Sequence, residues 1–196
     1  MYKAILLFLS LFLIFGCSTN PPQQSIPQEP FTPSSGGAEP VKFRGTLASH
    51  NSVRAQLGLV PLRWSNKLAR YAQQWANHQA QTQNCAMQHR PHQAGPFQQV
   101  HGENLFWASP KHWSDGKTEL QEISIGEVVK AWADEVVDYD YNSNSCREGE
   151  QCGHYTQIVW HETRAVGCAI AVCPDQSQLW VCNYDPPGNY IGEKPY

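Results

Sequence analysis

Charge is scarce in this chain of 196 residues: Asp, Glu, Lys and Arg together make up 16% of it, and the formal net charge is −3. With 14 basic residues against 17 acidic ones, there is no cationic footprint for a nucleic acid. The chain also lacks a G-x-S-x-G elbow, a P-loop, an H-E-x-x-H helix and any C-x-x-C pair. No short motif therefore points to a serine hydrolase, a nucleotide enzyme, a zincin or a zinc ribbon. No apolar run reaches the length of a bilayer. The longest, from Ala4 to Phe15, is broken only by Ser10 and has the length of a secretory h-region.

What is present begins with cysteine. Seven occur, and six of them (Cys85, Cys146, Cys152, Cys168, Cys173 and Cys182) fall in the part of the chain with globular composition. Six on an exported chain read as three disulfides. Cys17 is left over, and the run ending Leu13-Ile14-Phe15-Gly16-Cys17 resembles a bacterial lipoprotein signal, in which the cysteine is lipidated. The organisation expected is a lipoprotein-type signal peptide over 1–16, a lipid-anchored tether rich in Pro, Gln and Ser over 17–44, and one domain over 45–196.

Within that domain the apolar spacing predicts helices over 45–57 and 66–80, the second with Leu68, Ala72, Trp75 and Gln79 on one stripe. A short third helix is expected from near Glu103. Ser124 and Glu127 form a capping box that opens a helix with Ile125, Val128, Val129, Trp132 and Val136 on its apolar face and Glu135 at the edge. Strands are expected over 154–162, 166–173 and 178–184. Helices first and hairpin strands last give an α+β class.

Four motifs then stand in order: His50-Asn51-Ser52-Val53-Arg54, Gly102-Glu103-Asn104-Leu105, Gly153-His154-Tyr155-Thr156-Gln157-Ile158-Val159-Trp160, and the stretch 179–189 with Cys182-Asn183-Tyr184-Asp185. Together with the six cysteines they resemble the CAP superfamily of cysteine-rich secretory proteins, antigen 5 and pathogenesis-related class 1 proteins. The resemblance implies a three-layer α-β-α sandwich around a twisted antiparallel sheet. It implies a cleft in which His89, Glu103, Glu135 and His154 gather, able to hold Zn2+ or another divalent cation. His89 is counted four residues after Cys85, and His92 and His101 stand as substitutes for it. The resemblance also implies disulfides Cys85–Cys168, Cys146–Cys152 and Cys173–Cys182, and a ligand loop with Tyr139 and Tyr141 for a sterol, fatty acid or envelope ligand. The stretch 186–196 resembles a tail that plant relatives can release as a signalling peptide; a structural tail pinned by its aromatic residues is expected here.

The function expected is an exported, monomeric, lipid-anchored binding protein with a metal-capable cleft. It would face the periplasm or cell exterior, with a membrane as partner through Cys17 and no nucleic acid. A metal-dependent or Glu/His-assisted hydrolase using Glu103 and His154, and an extracellular protein-interaction module, are the alternatives.

Overall fold

Strands β7 (Ala165–Val172) and β8 (Gln178–Asp185) form the spine of the fold. Their alternating side chains sort onto two faces of one sheet. Val166, Cys168, Trp180, Cys182 and Tyr184 join one apolar cluster, while Ala169, Ala171, Leu179 and Val181 join another. The computed structural model describes residues 37–82 and 85–196; the expected leader, most of the tether and Cys17 lie outside the described residues.

Helix α1 (Thr46–Gln56) is followed by the short strand β1 (Arg63–Trp64) and helix α2 (Asn66–Thr82). Strand β2 (Gly102–Ala108) leads through two short hairpin strands, β3 (Lys111–His112) and β4 (Thr118–Glu119), to helix α3 (Ile125–Asp134). A second small hairpin, β5 (Tyr139–Asp140) with β6 (Ser145–Cys146), precedes helix α4 (Gly153–Ile158) and the β7–β8 pair. The main sheet has the order β1-β7-β8-β2, antiparallel except for the two-residue parallel pairing of β1 with β7. Helix α2 covers one face, and α1, α3 and α4 lie over the other, so the expected α-β-α sandwich is observed.

The two helical layers approach the sheet differently. Helix α2 meets it through Ala72 and Ala76, opposite Ala169, Ala171 and Gly167. A Cβ on Gly167 would run into the backbone nitrogen of Ala69 and the carbonyl of Ser65, so this close approach requires glycine there. The opposite face is filled by the buried aromatics Trp64, Trp132, Trp180, Tyr155 and Tyr184. Fully burying each such side chain contributes roughly 1.5–3 kcal/mol. The capping box at Ser124 is present: the Ser124 hydroxyl accepts from Glu127 N, and the Glu127 carboxylate accepts from Ser124 N.

Several expectations are corrected. The strand expected over 154–162 is helix α4 and the turn after it. Tyr155, Thr156, Gln157 and Ile158 are all buried, so the segment carries no periodic signal to distinguish helix from strand. Its ends are satisfied from outside. Glu135 Oε2 accepts from the N–H groups of His154 (3.0 Å) and Tyr155 (3.2 Å), and Arg54 Nη1 donates to the carbonyls of Ile158 (2.8 Å) and Trp160 (2.9 Å). A carboxylate at the start and a cation at the end suit the helix dipole. The short helix expected near Glu103 is strand β2, paired along its whole length with β8. The domain starts before residue 45: Val41–Phe43 form a 3-10 turn, Phe43 is buried in the core, and the Glu39 carboxylate accepts from Gly45 N and Leu47 N.

Two of the three expected disulfides exchange partners. Cys168 faces Cys182 in the β7–β8 register, with Cα atoms 4.1 Å apart, and the two are bonded. Cys85 bonds Cys173, and Cys146 bonds Cys152 as expected. The pairing Cys85–Cys168 fails because the two side chains belong to clusters on opposite faces of the sheet. The tail is pinned as expected. His161 N donates to Pro195 O (2.6 Å), Tyr190 packs edge-on to Trp160, and Tyr196 stacks on Tyr141.

A cleft built from two histidine–carboxylate pairs

His89 Nδ1 lies 3.0 Å from Glu103 Oε1, and His154 Nδ1 lies 2.5 Å from Glu135 Oε1. Each carboxylate is also the acceptor for neighbouring N–H groups. Glu103 receives Arg90 N (3.0 Å) and Asn183 Nδ2 (3.2 Å); Glu135 receives the α4 amides of His154 and Tyr155. An ionised carboxylate only accepts, so each imidazole donates from Nδ1 and keeps its proton there. Among the described residues neither Nε2 has a hydrogen-bond partner.

Both pairs meet at one cavity of about 370 Å³, lined by His89, Glu103, Asn104, Glu150, His154 and Asn189 together with the Cys146–Cys152 bridge. Glu103 reaches it from β2 and His154 from the first turn of α4, while Glu135, which ends α3, stands behind His154. His89 is the histidine beside Glu103. His101 instead sits 3.2 Å from Asp185 at ion-pair distance, and His92 is exposed and does not line the cavity. The four acidic and imidazole side chains thus form two pairs around one space. Among the described residues, no three His, Cys, Asp or Glu side chains gather as a metal-ligand cluster. The donor set fits two imidazole Nε2 atoms, each backed by a carboxylate that fixes its tautomer, with any further ligands supplied by water or the bound molecule. Glu103 and Glu135 each already accept three hydrogen bonds, one of them from the paired imidazole.

The backing of the cleft is a buried polar chain. His50 Nδ1 donates to Thr46 O (2.7 Å), and its Nε2 accepts from the Tyr184 hydroxyl (2.9 Å). Asn104 Nδ2 donates to Tyr184 Oη (3.2 Å) and to the His154 carbonyl (3.1 Å). Burial pushes the His50 imidazole down to about 4 and the Tyr184 phenol well up, so both stay neutral. Trp132 lies parallel to the His154 ring, centroids 5.9 Å apart, and donates Nε1–H to Leu105 O.

Sequence reasoning missed Arg90, Asn183 and Asn189. Arg90 adjoins His89 in the chain, and Asn183 and Asn189 fall in the last motif, yet no local pattern marks any of them. Asn183 is read only through its register opposite Glu103. The ligand-loop tyrosines are engaged internally. The Tyr139 hydroxyl donates to Asn144 Oδ1 and its ring packs on Tyr155, while the Tyr141 hydroxyl donates to Tyr196 O.

A disulfide-stapled α-β-α sandwich with its polar cleft at the end of β2 is a defined class of exported domain, and the comparisons agree. The model described as the cysteine-rich secretory protein family, CAP, matches residues 47–184, and the chain belongs to that family. It is 46% identical over 151 residues to pathogenesis-related protein PR-1 of Medicago truncatula, covering 76% of each chain. It is 42% identical over 150 residues to the basic form of pathogenesis-related protein 1 of Nicotiana tabacum, covering 76% of this chain and 73% of that one. The venom allergen-like protein 4 of Schistosoma mansoni shares the fold with a TM-score of 0.56 at 23% identity, over 81% of this chain and 95% of that one. NaASP2, solved with Zn2+, does so with a TM-score of 0.58 at 22% identity, over 84% and 88%. Family membership and three disulfides together mark a protein made for an oxidising, extracytoplasmic compartment.

Proposed function

We propose that this protein is an exported binding module whose cleft takes up a divalent cation through Nε2 of His89 and His154, the cation then serving as the seat for a ligand. The observation that carries the reading is the pair of imidazoles at one cavity, both with Nδ1–H committed to a carboxylate and Nε2 uncommitted. A bound cation would supply Lewis acidity there. This chain's own residues orient the two imidazoles and hold their protons at Nδ1. Binding is favoured over a covalent route: the cavity lining includes no Ser or Thr, and its two cysteines are joined to each other.

Zinc is the probe of choice because NaASP2, which shares the fold, was solved with Zn2+. Calorimetric titration should find one site in the wild type and loss of most of its affinity in His154→Ala and in His89→Ala. Glu103→Ala should weaken it by about 10–100-fold. Equal zinc uptake by wild type and His154→Ala would end the reading. Attachment to a membrane through lipidated Cys17 completes the proposal; Cys17→Ala should release the protein into the soluble fraction.

A second ligand seat is favoured by a groove of about 640 Å³ between α1 and α3, walled by Val53, Leu57, Val129, Ala133, Val136 and Tyr155. Its size and the apolar part of its wall, which also carries Ser49, Ser52, Gln56, Lys130 and Asp134, suit a fatty acid better than the Tyr139–Tyr141 loop does. Ala133→Trp should block fatty-acid uptake there and leave zinc binding intact. Uptake unchanged in that variant would remove the seat.

A further inference from the structure

We propose that Arg90 is the positioning residue for His89. It acts through Glu103 as the buried counter-charge that keeps one carboxylate oxygen turned to His89 Nδ1. The effect on cation uptake rests on the reading above; the effect on the His89 proton does not.

The Glu103 side chain is wholly shielded from solvent. A carboxylate in that position must be compensated, since an isolated buried charge is expelled toward water or neutralised. Asn183 offers only a dipole. A full positive charge is supplied by Arg90, whose Nε stands 3.8 Å from Glu103 Oε2 while its backbone N–H donates to Oε1. One residue therefore donates its backbone N–H to one oxygen and sets its charge at ion-pair distance from the other.

Arg90 is itself held as a built part of the site. It is 2% exposed. Its Nη2 donates to Tyr71 O (2.5 Å), and its guanidinium carbon lies 3.7 Å from the centroid of the Tyr71 ring. Trp75 and Phe97 complete the enclosure at 5.4 and 5.7 Å. Phe97 comes from the stretch between His89 and β2, and Tyr71 fastens that stretch: its hydroxyl donates to Gln98 O and accepts from Val100 N. A guanidinium on aromatic faces keeps its charge in a site that would strip a lysine of its hydration. The stretch 91–101 thus closes over a cation whose target is the carboxylate behind His89.

The proton at His89 follows. With Glu103 fixed as an acceptor, Nδ1 must carry the hydrogen and Nε2 is left for the cavity. Without the counter-charge the carboxylate no longer dictates that tautomer.

The test is long-range nitrogen–proton NMR of the His89 ring in the metal-free protein. The wild type should show the Nδ1–H form, and Arg90→Gln should show a mixture or the Nε2–H form. A wild-type pattern in Arg90→Gln would overturn the proposal. Should Arg90→Gln fail to fold, the double variant Arg90→Gln/Glu103→Gln, which removes both charges, should recover the fold. A double variant as unstable as the single one would overturn the proposal equally. Zinc affinity of Arg90→Gln should fall by about tenfold or more, as for loss of a residue supporting a ligand. A shifted tautomer with unchanged zinc affinity would uphold Arg90 as the positioning residue and dismiss the cation reading.

Discussion

The two histidine–carboxylate pairs reach their shared cavity from the two sides of the edge strand β2. Glu103 alternates with Asn104 along β2, so it shares the α2 face with Leu105, while Asn104 points toward α4 and Tyr184. On the α2 face, small residues bring helix and sheet close together, and the Glu103 charge is answered by Arg90. On the other side Glu135 is answered by the α4 amides of His154 and Tyr155. Similar side-chain pairs are thus assembled by two different electrostatic means. The His154 half depends on how a short helix is placed, and the His89 half depends on one buried ion pair.

The comparison can be broken first at Arg54. This buried side chain donates to four carbonyls, those of Val60, Ile158, Trp160 and Thr163, and so fixes the far end of α4. Arg54→Met should lower stability by about 4 kcal/mol, because several buried acceptors lose their donor together. Hydrogen exchange should quicken in α4 and leave β2 slower; uniform quickening would deny that the two halves are separable.

Gly167→Ala strikes the opposite layer. Its Cβ meets backbone rather than a mobile side chain, so about 3 kcal/mol should be lost, at the upper end of overpacking. Denaturant midpoints would measure it, and a loss below about 1 kcal/mol would show that α2 can shift away from the sheet.

Acid should act on the α4 side. The His50 imidazole is depressed from 6.5 to about 4 in the folded protein, so the unfolded chain takes up a proton that the native state resists. Its contribution is complete above pH 6.5 and is lost as pH falls from there to about 4, amounting to about 3 kcal/mol. Stability measured across that window should decline more steeply in the wild type than in His50→Gln. Equal slopes would contradict the neutral His50–Tyr184–Asn104 chain.

The smallest effect is expected at Ser124. Loss of its cap in Ser124→Ala should cost about 1 kcal/mol by denaturation and leave zinc affinity unchanged, since α3 is held to the core along its length.

Much of this was legible in the sequence where one physical signal acted alone. The stripe Leu68, Ala72, Trp75, Gln79 defines α2, the capping box marks the start of α3, and the alternation in β7 and β8 marks the hairpin. Legibility failed where tertiary partners decide. Residues 153–158 form a helix because Glu135 and Arg54 complete its ends, and both are far away in sequence. The cysteine pairing followed sheet register, which the family pattern alone did not convey. Of the cleft, Glu103 and His154 stand in the family motifs, whereas His89 is reached only by counting from Cys85 and Glu135 by its place at the edge of the α3 face. Arg90 was not, since its meaning depends on Tyr71, Trp75 and Phe97 folding around it.

The parallel rings of Trp132 and His154 have an optical consequence. An indole loses emission to an adjacent imidazole, more strongly when that imidazole is charged, so the state of His154 is written into the light that Trp132 emits. The cleft carries its own fluorophore. Subtracting the spectrum of His154→Ala isolates that signal from the other six tryptophans of the seven in the chain, letting occupancy of the cavity be followed in an unlabelled protein.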